Sequence, residues 1–349
     1  MSTSNESRNA FFDNAKFLLI FLVVLGHAIR PLADQFDSMN ALYLWIYSFH
    51  MPLMIFIAGY FSKNIHKKGQ YQKLIATVLV PYLLFEFLYE VYQSFIYAPD
   101  SNNQLDLLSP YWLMWFMFSL FLWKTLLPYF LNLKYPLMIS IALGLLIGFT
   151  DADKFLSFHK TIAFFPFFIL GYFTSAELIT KLQRKSVRTI SALILIFSFI
   201  TLYLMELHYL PFHMEIRKWL YFSTPYVELG KSVGVGVLYR FILYGICIVM
   251  SLSFLAVAPT KKTFFTHLGT RTLYVYLLHG FLIRTLFTLE IYEQVDSSWS
   301  ILYAVLLSIL ITYILSTAWT LRLTKPLVQP RLHWLLGKPK HGSINIPST

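Results

Sequence analysis

Charge is what this sequence has least of. Of its 349 residues only 13% are Asp, Glu, Lys or Arg, where a soluble globular protein carries about a quarter. Acids are the scarcer sign, 17 against 28 bases. Apolar residues reach 57%, and mean hydropathy is +0.60. These values exclude the soluble class and indicate a polytopic membrane protein surrounded by lipid bilayer. The usual domain count from length does not apply to such a bundle. Cysteine is nearly absent. The single Cys247 excludes an intrachain disulfide and a cysteine metal cluster. Internal repeats, low-complexity tracts and a soluble domain at either end are not evident. Nor is a cleavable signal peptide, because the first apolar run carries a histidine and lacks a small-residue cleavage site.

The net charge of +11 would suggest nucleic acid in a soluble protein. Here the bases fall in short loops between apolar runs, which is the pattern of topogenic charge. No nucleic-acid partner is expected. Ten apolar runs are predicted to span a membrane, at 15–33, 41–62, 74–97, 110–131, 136–150, 161–176, 187–207, 238–257, 272–289 and 300–322. The fifth and sixth are short for a span. Loops alternate in charge. Those at 63–73, 124–134, 181–188 and 261–271 are basic, as is the tail from Arg322. The loops between them hold Asp34 and Asp37, then Asp100 and Asp106, then Asp151 and Asp153, then Glu290, Glu293 and Asp296. The positive-inside rule puts the basic set, and both termini, in the cytoplasm. That requires an even number of spans, and ten satisfies it. The expected fold is therefore an all-α transmembrane bundle in a bacterial plasma membrane. Residues 1–323 form its membrane domain and 324–349 a polar cytoplasmic tail. The longest external connection, 206–237, could cap the outer mouth or be an ordinary amphipathic surface segment.

Polar residues inside the spans carry most of the information about function. Lys16 and His27 share the first run and lie ~16 Å apart along a helix. A histidine can take a proton from a hydroxyl and return it, or it can pack by bonding to neighbouring backbone. His50 lies just before Pro52, which frees a carbonyl and can bend the second span. His279 sits in the ninth. The three histidines could face one polar cavity or pack separately. Glu86 is the deepest carboxylate. It could orient a histidine or pair with a base on another helix. Asp13, Arg30, Lys73, Arg240 and Arg284 lie at span ends and read as interface residues, with contact to an anionic ligand or a glycan as the alternative. Three histidines with a glutamate could bind zinc, but no two share i, i+4 spacing, so no metal is expected.

The stretch Phe12-Asp13-Asn14-Ala15-Lys16, followed by an apolar run to His27, resembles the first span of the acyltransferase 3 family of integral membrane acyltransferases. That family carries Arg or Lys, ten residues, then His. Four further stretches resemble the family in order: Phe49-His50-Met51-Pro52-Leu53 through Gly59-Tyr60, Tyr111 to Phe116, Phe164 to Phe173, and Leu273 to His279. The pattern is most similar to the sugar O-acetylase, fucose acetylase-like branch. The resemblance implies transfer of an acyl group, usually acetyl, from cytoplasmic acyl-CoA to a hydroxyl of a cell-envelope glycan or lipid-linked sugar. It implies Lys16 at the donor end and His27 as the base or acyl carrier. His50, His279, Glu86, Arg30 and Asp13 are then expected to line the cavity or hold substrate. Acetyl-CoA would be a cosubstrate. Many family members carry a soluble domain that completes transfer, so a separate envelope-synthesis partner protein is possible here. Export of a polysaccharide or lipid-linked sugar, and a non-catalytic scaffold, are the rival functions.

Overall fold

In hydrocarbon every backbone N–H and C=O must find a partner within the protein, which leaves the helix as the economical form for each apolar run. The structure, a computed structural model, describes residues 2–65, 67, 69–96, 109–151, 156–210, 215–290 and 299–330. Among these there are helices and no strands. Helix α1 is Ser2–Ala28, and α2 (Asp37–Tyr47) leads into α3 (His50–Tyr60). Next, α4 (Gln70–Leu74) runs through a π turn at Ile75–Leu79 into α5 (Val80–Ile96). They are followed by α6 (Trp115–Leu131), α7 (Pro136–Leu146), α8 (Phe158–Phe173), the short α9 (Ala176–Leu182) and α10 (Lys185–Glu206). The chain continues with the short α11 (Ile216–Leu220), α12 (Val233–Val257), α13 (Thr272–Thr288), α14 (Ser300–Ser316) and α15 (Ala318–Val328). Helix thus occupies all ten apolar runs.

Five helical bodies among the described residues are long and apolar enough to cross a membrane. The number is seven if two bent pairs, α8 with α9 at 96° and α14 with α15 at 68°, each count as one span. Helices α6 and α7 are apolar but shorter. Several residues of the loop charge pattern (Asp100, Asp106, Asp153, Glu293 and Asp296) lie outside the described residues, as does the tail from 331. Helix α15 carries the chain past residue 323 to Val328.

The two breaks within spans follow from proline. Pro52 lacks the N–H that would bond the Ser48 carbonyl, so a new helix starts at His50 with Pro52 in its first turn, where no donor is missed. The Ser48 hydroxyl turns back to the Trp45 carbonyl at 2.7 Å. Pro81 likewise cannot bond the Thr77 carbonyl, and the π turn immediately precedes it.

Packing is inverted relative to a soluble protein. On α14, Leu302, Leu306 and Leu310 are exposed, while Ala304 and Ser308 are fully buried. On α10, Leu193, Phe197 and Ile200 face outward and Ser191 is buried. Exposed apolar faces of this extent suit lipid, and small residues suit close helix contact. The tightest crossing joins α3 to α8. Gly59 lies on the Phe168 backbone and Gly171 on the Phe56 backbone, and a Cβ on either would overlap the opposing carbonyl. At the start of the membrane run, Asn14 ties α1 to the 259–266 segment. Its amide donates to the Pro259 and Lys261 carbonyls, both at 2.9 Å. Its oxygen accepts from Thr263 at 3.0 Å and Thr266 at 2.6 Å.

Candidate active site

Helix α1 carries one face of polar residues in register. His27 is eleven residues beyond Lys16, three turns along the same helix. At its end the bundle opens into a cavity of about 330 Å³, within the range of small-molecule sites. Val23, His27 and Arg30 form one wall, Tyr43 and Tyr47 of α2 another, and His50 and Met51 a third where α3 begins. The turn before α6 contributes Trp112, α6 itself Trp115, α8 Lys160 and Phe164, and α13 Tyr276, Arg284 and Phe287. Leu220 and Tyr221 complete it, so part of the long 206–237 connection does cover this end. His213 of that connection lies outside the described residues.

The geometry centres on His27. Its ring meets the edge of Trp112 at 4.6 Å and lies 5.4 Å from the ring of His279. The Arg284 guanidinium stacks over the same Trp112 at 4.5 Å, a distance at which cation and indole attract. Lys160 stands 6.0 Å from the Trp115 ring. Trp112 has φ 36°, a backbone conformation disfavoured for a bulky residue. The strained turn is held from α5, where the buried Glu86 accepts the Tyr111 N–H at 2.6 Å. His50 has its Nδ1 2.9 Å from the Ile46 carbonyl. A carbonyl accepts, so that nitrogen donates, and Nε2 is left with the lone pair.

A polar clasp lies beside the cavity, near Arg30, Tyr43 and Tyr221. Asp34 accepts from Arg30, and from Arg217 of α11 at 2.5 Å. Arg217 also donates to Asn40 at 2.6 Å, and Asn40 to Glu206 at 2.7 Å. The Tyr43 and Tyr221 hydroxyls meet at 2.7 Å. Partial burial works against the Asp34 charge, but hydrogen bonds from Arg217 and Arg30 hold its carboxyl below the usual aspartate range.

The residues expected at the site are therefore divided. His27, His50 and Arg30 share the cavity wall. His279 stands behind His27, fully buried, rather than on the wall. Glu86 supports the Trp112 turn from outside the cavity. Lys16 and Asp13 pair with each other at 2.7 Å, three turns down the helix from His27. Among the described residues no group of three His, Cys, Asp or Glu is placed to hold a metal ion. The sequence reading does not single out Lys160, and it gives Arg284 as an interface residue with contact to an anionic ligand or a glycan as the alternative. Helical spacing carried the missed signal, since Tyr276, Arg284 and Phe287 recur at eight and three residues, along one face of α13.

A model of the acyltransferase 3 family, described as an acyltransferase domain, matches residues 9–317. The chain is also similar to two curated relatives, each named Nodulation protein NolL. That of Mesorhizobium japonicum is 28% identical over 182 residues, covering 48% of either chain. That of Sinorhizobium fredii is 29% identical over 188 residues, covering 49% of this chain and 50% of the relative. The chain thus aligns with about half the length of these relatives. No solved structure gives a significant match.

Proposed function

Since this chain belongs to the acyltransferase 3 family, we propose that it is a membrane-bound O-acyltransferase. It moves an acyl group, acetyl in the first instance, from acyl-CoA to a hydroxyl of a cell-envelope or exported glycan. The carrying observation is His27 on the wall of a cavity that also holds Arg284, Lys160 and six Tyr or Trp rings. Aromatic faces suit the apolar faces of a sugar, and the cations suit charge that develops on a carbonyl oxygen. The bundle reads as ten spans in a bacterial plasma membrane with both termini cytoplasmic, supported by helix at each of the ten apolar runs and by the alternating loop charge. Lys16 then stands at the cytoplasmic, donor end, and the cavity at the outer, acceptor end.

His27 accepts the proton of the acceptor hydroxyl, and the oxygen attacks the thioester carbonyl. The C–O bond forms, the C–S bond breaks, and the departing sulfur takes the proton from His27. A covalent variant, in which His27 first carries the acyl group, uses the same position. Arg284 and Lys160 stabilise the tetrahedral oxyanion, and His50, anchored through Nδ1, presents Nε2 to the acceptor sugar. The reading is tested in cells by mass spectrometry of envelope glycans. With His27→Ala present at normal membrane abundance, O-acetyl groups should be lost, and an unchanged glycan would reject the proposal.

A further inference from the structure

One buried nitrogen beside the cavity has no hydrogen-bond partner among the described residues. His279 is fully buried, and its Nδ1 lies 2.9 Å from the Val275 carbonyl and 2.8 Å from that of Tyr276. Both carbonyls can only accept, so Nδ1 carries the proton and donates. Nε2 is then a lone-pair acceptor, and it is buried without a hydrogen bond among the described residues. Buried polar atoms are nearly always paired. His159 shows the same construction, with Nδ1 2.6 Å from the Phe222 carbonyl and an unpaired Nε2, so the missing bond alone does not decide a role. The difference lies in the neighbour. The ring of His27 is 5.4 Å from that of His279, tilted by 32°. No hydrogen bond joins the two rings in the structure, but that separation, less the radii of two imidazoles, leaves about the length of one N–H···N bond, so a turn of the His27 ring alone would bring a nitrogen to Nε2.

We infer that His279 is the positioning residue for His27, its Nε2 accepting the second ring N–H of His27 and so aiming the other nitrogen into the cavity. The inference rests on the acyl-transfer reading above. When the acceptor hydroxyl gives its proton to the cavity-side nitrogen, His27 becomes a cation with two N–H donors. One holds the transferred proton until the thiol sulfur takes it. The other points at a fixed lone pair. His279 gains and loses no proton. It fills with a neutral ring the place that a carboxylate fills in a Ser-His-Asp triad. Val275, Tyr276 and His279 all lie on α13, so one rigid helix sets both the tautomer and the position of the acceptor.

The test uses full-length protein purified in detergent, with acetyl-CoA as donor and alkali-treated, de-O-acetylated envelope polysaccharide of the producing cells as acceptor. His279→Asn keeps a donor near the two carbonyls but ends short of Nε2. His279→Gln reaches that position with an acceptor oxygen. The expected result for Asn is a kcat lower by ~10–100-fold, the scale of losing a group that orients a metal-bound imidazole, with both KM values little changed. The solvent deuterium isotope effect on kcat should grow, because proton abstraction becomes slower. Gln should recover part of the rate. A wild-type kcat in His279→Asn overturns the inference, as does a loss shared equally by Gln with an unaltered isotope effect. Should His279→Asn fail to fold, judged by size-exclusion elution, His279→Gln decides alone: a raised isotope effect supports the role and an unaltered one overturns it. Activity retained in His27→Ala rejects the acyl-transfer reading itself. An inactive His27→Ala beside a normal His279→Asn rejects only this inference.

Discussion

Asn14 uses every polar atom of its side chain, donating to two carbonyls and accepting from two hydroxyls. Leucine makes none of these bonds, and it would leave partly buried groups of the 259–266 segment without their Asn14 partners. Asn14→Leu is expected to cost on the order of 2–4 kcal/mol, read as a lower melting temperature in detergent. An unchanged melting temperature would show that the segment is held otherwise. In the cavity, Arg284→Ala is expected to lower acyl transfer by ~10²-fold, the scale of losing one group that stabilises an oxyanion, with Arg284→Lys recovering part. Wild-type rates in the alanine variant would remove Arg284 from the chemistry. His27 and His50 were legible in the sequence because a histidine inside an apolar run is costly and conspicuous. Arg284 was not, because depth along a helix does not tell which way a side chain points. Lys16 was legible as a base, and its partner Asp13, one turn earlier, fixes where its charge is spent.

At the scale of elements, the α3–α8 crossing depends on two glycines placed reciprocally on each other's backbone. Gly171→Val should push the helices apart at a cost of about 3 kcal/mol, lowering the yield of folded protein in detergent. Gly245 of α12 has open space where a Cβ would sit, so Gly245→Ala should leave the yield unchanged. Equal behaviour of the two variants would contradict the packing described. The polar clasp predicts a pH dependence. Because hydrogen bonds depress the Asp34 carboxyl in the folded state, its contribution is full above the ordinary aspartate value of ~3.9 and is lost as pH falls through the depressed value. Spin labels at positions 35 and 218, in a Cys247→Ala background, should therefore keep their separation from neutral pH down to that range. Asp34→Asn should widen it throughout, and a widening that begins near neutral pH would contradict the clasp. Sequence located the bend in the second span through Pro52, since a missing donor acts locally. It did not reveal the π turn before Pro81, because several backbone adjustments satisfy the same missing bond.

For the whole molecule, the class and the helical runs were legible because hydrocarbon leaves the backbone so few solutions. The number of spans is harder to read. Helices α6 and α7 fall short of a full crossing and two pairs bend sharply, and length alone does not separate a short span from a re-entrant one. Of the cavity only His27, His50 and Arg30 were legible, and its aromatic and remaining cationic walls were not. It is assembled from residues between Val23 and Phe287, and nothing local in the sequence brings those distances together. The central claim is that His27 serves acyl transfer in this cavity. Its most direct test is transfer of label from [acetyl-¹⁴C]acetyl-CoA to de-O-acetylated envelope polysaccharide by purified protein, wild type against His27→Ala. The account predicts label on the polysaccharide with wild type and none above background with the variant. Equal labelling by the two proteins, or none by either while the polysaccharide is instead carried across vesicles, would contradict it.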